Sequence, residues 1–152
     1  HQAGARTVAA LRFGAGETAE DRVEFLEAVR VLQERTGGFA AFALARAGGG
    51  LARGGLARGG LEGPTAVESL KMLAVSRLML DPVANVEAGW TASGLKVLEM
   101  GLRFGANDAG QVVLWESPGE RSSYEEDLRR VIRDAGLLPV ERDGGYRMQF
   151  LG

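Results

Sequence analysis

The residues best suited to chemistry gather in GAGETA, residues 14–19, a glycine-rich segment between an apolar run and a helical pattern. Gly14 and Gly16 have the spacing of the G-x-G-x-x-G/A fingerprint, in which backbone N–H groups at a helix N-terminus receive a pyrophosphate. Glu17 and two further acidic residues bring negative charge to the same place, and this charge would repel a pyrophosphate. Glu17 therefore has two interpretations, a carboxylate in contact with a cofactor or one that stabilises the helix N-terminus.

A dinucleotide site also depends on the residues at the end of the second apolar run. That run ends in Ala45 and Arg46, without the acidic residue that binds the ribose of NAD. The remaining form of this alternative is an NADP-binding protein in which Arg46 faces the 2′-phosphate.

Two more candidates stand where predicted strands end. Trp90 closes NVEAGW and Glu116 comes directly after QVVLW, and binding residues of parallel α/β folds gather at the carboxyl ends of strands. Trp90 is either a packing residue or a surface for a substrate. Glu116 is either a pocket carboxylate or an exposed loop residue. Both are predicted here as substrate-binding residues.

The polar pair Asn107-Asp108 occupies the opposite position, after a helix and before a strand. In a barrel this end of the strands serves stability rather than catalysis. With Gly105 as the left-handed residue after the helix, the pair is expected to hold a turn through side-chain to backbone hydrogen bonds. The sequence therefore predicts a structural role for the pair.

Apolar runs alternate with helical spacings along the chain, which predicts four strand-helix units and an extended tail. The strands are expected at 7–13, 39–45, 85–90 and 111–115. The first strand is predicted to be buried on both faces except at Arg12. The first two helices are expected to be capped by Thr18, with Asp21 three residues later, and by Thr65, with Glu68 three residues later. The last helix is expected to be capped by Ser122 or Ser123, and the tail to turn at Gly144-Gly145.

Such alternation implies parallel strands joined by right-handed crossovers. The architecture is either a small open α/β sheet or a partial TIM-type barrel, a half-barrel of four βα units. Residues 1–152 are expected to form a single domain. Residues 47–63, with their GLARG repeat, are predicted to be a flexible glycine-rich loop.

Composition excludes several classes of function. The net charge of -2 argues against a nucleic-acid partner. The chain has no cysteine, so it offers no thiolate to a metal or an iron-sulfur cluster, and no metal site is predicted. No apolar run reaches the length of a membrane span, so a cytoplasmic location without membrane contact is expected. The opening HQAG is typical of the last turn of a helix, which suggests a fragment.

Three passages together carry a resemblance to a known family. They are RFGAGETAEDRVEFLEAVRVLQERTGGFAAF, then LKMLAVSRLMLD, then NVEAGW with GLKVLEMGLRFGANDAGQVVLWE after it. In order and spacing they resemble the C-terminal half of the radical S-adenosylmethionine enzymes of the futalosine route to menaquinone. The cyclic dehypoxanthinyl futalosine synthases are most similar, with aminofutalosine synthase and the FO synthases as relatives.

The resemblance implies a (βα)8 barrel that binds S-adenosylmethionine and a 4Fe-4S cluster in the full-length family. The cluster is held there by a CxxxCxxC loop near the first strand and cleaves S-adenosylmethionine to a 5′-deoxyadenosyl radical. That loop is absent from this chain, which would correspond to strands five to eight. The resemblance therefore implies a transferase that acts on a nucleoside-type substrate and is inactive without the N-terminal half-barrel.

Residue by residue, the family's G-H-x-E-T falls on residues 14–18, which assigns cofactor contact to Gly14, Gly16 and Glu17. The family's histidine is Ala15 here, and a usually apolar position is Arg12. The W-T-F-Q-P-E-N-T-like substrate segment is replaced by ALARAGGGLARGG. This loss supports an alternative function, a degenerate half-barrel that serves as a binding or assembly module. The expected partner of the native protein is the N-terminal half-barrel, and self-association is expected of the isolated chain.

Overall fold

The computed structural model describes residues 1–14, 16–46, 64–89, 94–110 and 118–149. Within them, three strands alternate with three helices, and a fourth helix and a short terminal hairpin follow. The elements are β1 (Thr7–Phe13), α1 (Ala19–Thr36), β2 (Phe39–Arg46), α2 (Ala66–Met79), β3 (Asn85–Glu87), α3 (Leu95–Arg103), α4 (Pro118–Asp134), β4 (Glu141–Arg142) and β5 (Met148–Gln149).

Two capping boxes fix the starts of the first two helices. The Thr18 side chain accepts from the backbone N–H of Asp21, and the Asp21 carboxylate accepts from the backbone N–H of Thr18. Thr65 and Glu68 repeat this reciprocal pair at the start of α2. Each box satisfies two backbone donors that a helix start leaves without a helical partner. Both starts were predicted from the sequence and are confirmed.

Strands β1, β2 and β3 form a parallel sheet in that order. Side chains along each strand point alternately to the two faces of the sheet. The parallel register therefore shows which residues of the three strands share a face. Ala9, Phe42 and Val86 share the face that the helices cover, and all three are buried. That face carries the hydrophobic core together with Leu26, Leu73 and Leu98 from the helices.

The other side of the sheet is named here the alanine face. Its members alternate with the core residues in the strand register, and they are Val8, Ala10, Arg12, Ala41, Ala43, Ala45, Asn85 and Glu87. On β1 the three members of this face are exposed. The prediction that this strand is buried on both faces was therefore wrong, because the described helices pack against one side of it only.

A fourth position of the sheet begins beside β3. Glu87 and Asp108 form a parallel bridge, in which the Ala88 N–H donates to the Asp108 carbonyl at 2.9 Å. The fourth strand position of the sheet therefore lies next to β3, the third strand. The predicted strand over residues 111–115 comes after this bridge and lies outside the described residues.

Helix α4 begins earlier than the sequence predicted. It starts at Pro118, so Ser122 and Ser123 lie inside the helix and neither is its N-cap. Proline suits a first helical position because its missing N–H has no helical partner there. The predicted hairpin is confirmed by the antiparallel pair β4-β5, which turns through Gly144-Gly145. None of the helices in the described ranges is both long and apolar enough for a membrane span.

Candidate functional site

The terminal hairpin reaches the start of the fourth sheet position through Arg142. Its guanidinium binds the Asp108 carboxylate with Nε donating to Oδ2 and Nη2 donating to Oδ1 at 3.0 Å. This fork geometry matches a guanidinium to a carboxylate through two parallel hydrogen bonds. The two side chains are only 18% and 9% exposed, so the pair is shielded from solvent.

Glu87 joins this pair from the alanine face of β3. The Arg142 Nη2 donates to Glu87 Oε1 at 3.2 Å, and the Tyr146 hydroxyl donates to the same oxygen. The guanidinium carbon of Arg142 lies 3.9 Å from the centroid of the Tyr146 ring. Glu87, Asp108, Arg142 and Tyr146 are named here the hairpin cluster.

Burial and hydrogen bonding set the protonation of two members. Burial alone disfavours the charged guanidinium, but the hydrogen bond and charge of Asp108, with Glu87, raise the pKa of Arg142 above its usual value. Burial, and next the hydrogen bond to Glu87, raises the pKa of the Tyr146 hydroxyl well above its usual value. At neutral pH the cluster therefore holds a charged guanidinium and a neutral phenol.

Tyr146 adopts a backbone conformation that bulky residues avoid. Its φ is +62°, and it is the only non-glycine residue with positive φ in the described part of the chain. The Asp143 side chain supports this turn by accepting from the N–H groups of Gly145 and Arg147 at 2.8 and 2.9 Å. Left-handed conformations in non-glycine residues persist only where their surroundings hold them. The contacts of the Tyr146 side chain with Glu87 and Arg142 supply that support.

The Asn107 side chain bonds to the backbone beside β3 and takes no part in the hairpin cluster. Its Nδ2 donates to the Ala84 carbonyl at 2.9 Å, while its Oδ1 accepts from the Val86 N–H and from Arg77. Gly105 before it has a φ of +106°, as predicted for the residue after the helix. The structural interpretation is confirmed for both residues: Asn107 bonds to the backbone beside β3, and the Asp108 carboxylate accepts from the Gly110 N–H at 2.7 Å. Asp108 also binds Arg142.

The predicted cofactor loop lies at the carboxyl end of β1. Glu17 accepts from the Gly14 N–H at 2.7 Å and forms an ion pair with Arg22 at 3.1 Å. A Cβ on Gly14 would meet Pro64 at 2.4 Å, whereas a Cβ on Gly16 would have no atom of the described residues within 4 Å. Among the described residues, the backbone is therefore open at Gly16 and closely covered by Pro64 at Gly14.

Other predicted positions lie outside the described residues. They are Trp90, Glu116 and the glycine-rich segment 47–63. Arg46, the basis of the NADP alternative, ends β2. Across the described ranges, no group of three His, Cys, Asp or Glu side chains is placed to hold a metal ion.

Sequence reasoning missed most of the hairpin cluster. Glu87 lies in a short strand, while Arg142 and Tyr146 belong to a tail in which charged residues are frequent. One signal was present, because Glu87 is an acidic residue inside an otherwise apolar strand pattern. A cleft of about 710 Å³ adjoins the cluster and is bordered by Asp108, Leu128 and Arg142. Gly110 also borders it, and the described residues stop there until Pro118, so no ligand is assigned to the cleft.

Comparison with known proteins places these features in a family. A family described as the CofH/MqnC C-terminal region matches residues 52–151. A cyclic dehypoxanthine futalosine synthase of Streptomyces coelicolor is 31% identical over 96% of this chain and 37% of its own length. An aminodeoxyfutalosine synthase of Thermus thermophilus is 33% identical over 97% of this chain and 41% of its own length.

Another relative carries a different name. A 5-amino-6-(D-ribitylamino)uracil--L-tyrosine 4-hydroxyphenyl transferase of Methanothermobacter thermautotrophicus is 35% identical over 97% of this chain and 42% of its own length. The chain thus spans about two fifths of the length of these curated relatives.

Proposed function

Because the chain belongs to the CofH/MqnC C-terminal region family, we propose that it supplies the second half of a radical S-adenosylmethionine barrel acting on a futalosine-type nucleoside. Two of the relatives above are named as futalosine synthases, and the family match covers about two thirds of the chain. In this proposal, residues 1–152 form one half-barrel domain, and the missing half-barrel is the partner. The proposed activity is that of a transferase in menaquinone biosynthesis.

The observation that carries the half-barrel is the order of the sheet. The strands are ordered β1-β2-β3, and the Glu87-Asp108 bridge adds the fourth position beyond β3. A barrel requires this sequential order, because each strand pairs with the next along the chain. The dinucleotide fold instead places its fourth strand beside its first. The sheet therefore favours the half-barrel over the NADP alternative.

The alanine face becomes the barrel interior in this arrangement. Ala10, Ala43 and Ala45 leave room above the sheet. Gly16 leaves an approach at the carboxyl end of β1. On β3, Glu87 is held by Arg142 and Tyr146 of the hairpin. The chain's own residues would thus line the space for a nucleoside and fix one carboxylate beside it.

The fit of the two family cofactors differs. An iron-sulfur cluster needs thiolate ligands, and this chain has no cysteine, so no step that uses the cluster is assigned to it. S-adenosylmethionine would approach the open backbone at Gly16, while the Glu17 carboxylate accepts from the Gly14 N–H and pairs with Arg22. Its bound form would supply the adenosyl group for radical chemistry. The residues Gly14 and Glu17 would shape the loop beneath it.

A second function is favoured by one departure from the family. The segment ALARAGGGLARGG stands where the family's substrate motif is expected. A chain that has lost this motif would keep the framework as a non-catalytic binding or assembly module.

Formation of 5′-deoxyadenosine separates these functions. Three anaerobic, iron-reconstituted samples are compared: this chain, a cluster-binding N-terminal half, and the two halves together. Each sample receives S-adenosylmethionine, dehypoxanthine futalosine and dithionite as the electron donor. The proposal expects product only in the mixture. Product from this chain alone would overturn it, and a mixture that assembles without product would favour the non-catalytic module.

A further inference from the structure

Arg12 is a charged residue on the alanine face of β1. Its neighbours Leu11 and Phe13 are buried against the helices, at 6% and 1% exposure, whereas Arg12 is exposed on the other side. In the register, Arg12 lies beside Ala45, whose methyl group leaves the guanidinium unobstructed from that strand. The residue also lies two positions before Gly14, at the carboxyl end of the strand.

The acidic residues of the hairpin cluster are already engaged. Arg142 binds both Glu87 and Asp108, and Tyr146 donates to Glu87. Strand spacing separates the Cα atoms of Arg12 and Glu87 by about 12 Å. Within the described ranges, no hydrogen bond or ion pair joins the Arg12 side chain to a carboxylate. The described part of the alanine face therefore contains a guanidinium without its own counter-charge.

If a barrel encloses the alanine face, the Arg12 guanidinium destabilises the folded protein unless an anion binds to it. A charged group inside a closed barrel needs a partner of opposite charge, because burial removes its hydration. Ligands of parallel barrels bind at the carboxyl ends of the strands, where Arg12 lies. A guanidinium holds carboxylates through two parallel hydrogen bonds.

We propose that Arg12 is a specificity-determining residue that binds the carboxylate of a small molecule held in the barrel. The inference rests on the proposed half-barrel, since only there does the alanine face become an interior. A futalosine-type substrate and S-adenosylmethionine both carry a carboxylate, so the same chemistry has two sources. The ligand pairs in the experiment separate them.

The test compares Arg12→Leu and Arg12→Lys in the complete protein, measured by calorimetric binding. The first ligand pair is dehypoxanthine futalosine and its neutral carboxamide. The second pair is S-adenosylmethionine and its decarboxylated form. Arg35→Leu is the control, because Arg35 is exposed at the end of α1, on the other side of the sheet.

The expected result is a loss of at least about tenfold in affinity for one carboxylate ligand in Arg12→Leu, with its neutral analogue unaffected. Arg12→Lys should retain part of the affinity, because it keeps the charge without the fork. Loss for dehypoxanthine futalosine identifies the substrate carboxylate, and loss for S-adenosylmethionine identifies the cofactor carboxylate.

If the wild-type protein binds both carboxylate ligands and Arg12→Leu binds them with the same affinity, the proposed role of Arg12 is overturned. The proposed function is not affected by that result. Equal losses for charged and neutral members of each pair would also overturn the role of Arg12, since they indicate a structural effect. A wild-type protein that binds none of the four ligands would instead contradict the proposed function.

Discussion

Arg142 donates two hydrogen bonds to the carboxylate of Asp108, which lies 34 residues earlier in the chain. The contact joins the terminal hairpin to the first residue of the fourth sheet position. Because both side chains are mostly buried, loss of either leaves the other without its partner. The hairpin is thus part of the sheet's support rather than a loose tail.

The first prediction is that Arg142→Leu lowers the free energy of unfolding by about 2–4 kcal/mol. Its physical cause is the desolvated carboxylate of Asp108, which would keep only the Gly110 N–H as a described partner. Arg130→Leu is the control, because Arg130 pairs with Asp127 but is 61% exposed, and its loss should cost less than about 1 kcal/mol. Urea denaturation measures the unfolding free energy of both variants. Equal losses in the two would contradict a buried pair of Arg142 and Asp108.

Local signals explain why most of the fold could be predicted. Thr18, Asp21, Thr65 and Glu68 cap helices through contacts three residues apart, so their pattern is visible in the sequence. The parallel sheet follows from alternation of strands and helices. The first turn of α4 escaped prediction because two serines resembled a cap, while Pro118 supplied an equally good start.

The candidate site was harder to predict for a physical reason. Glu87 and Tyr146 are 59 residues apart, and their contact depends on where the hairpin meets β3. No periodicity encodes such a contact. By contrast, the role of Asn107 could be inferred from its place between a helix and a strand, although its bonds to Ala84 and Val86 reach a neighbouring strand.

The second prediction concerns alkaline pH and Tyr146. Its pKa is raised in the folded protein, so the folded state retains a proton that the unfolded chain loses near pH 10, an approximate value for free tyrosine. The stabilisation is therefore complete below about pH 10 and declines as the pH rises above it. Tyr146→Phe should remove this decline, and Tyr124→Phe should keep it. Urea titrations at several pH values test this, and identical declines in both variants would exclude Tyr146 as its source.

The third prediction separates the two glycines of the predicted cofactor loop. Gly14→Ala and Gly16→Ala both place alanine at positive φ, of +86° and +99°, but only the first also collides with Pro64. Gly14→Ala should therefore destabilise the protein by at least about 1 kcal/mol more than Gly16→Ala. Thermal unfolding of the two variants is the measurement. A larger cost at Gly16 would show that the open space beside it is filled in the folded protein.

The fourth prediction concerns Asn107. Asn107→Ala removes an acceptor from the Val86 N–H and a donor to the Ala84 carbonyl, which should cost about 2 kcal/mol of unfolding free energy. Asn107→Asp keeps the acceptor and should cost less. Chemical denaturation compares the two, and an unchanged stability of Asn107→Ala would show that its side-chain bonds to Val86 and Ala84 do not stabilise the fold.

The central claim is that this chain is half of a barrel whose alanine face another half must cover. The isolated chain leaves Val8 exposed at 43% and the edge of β1 without a described partner strand, and such edges favour association. Sedimentation velocity at several concentrations, with binding of a hydrophobic dye, tests this most directly. The account predicts self-association and dye binding, whereas a strictly monomeric, cooperatively melting chain that binds no dye would contradict it.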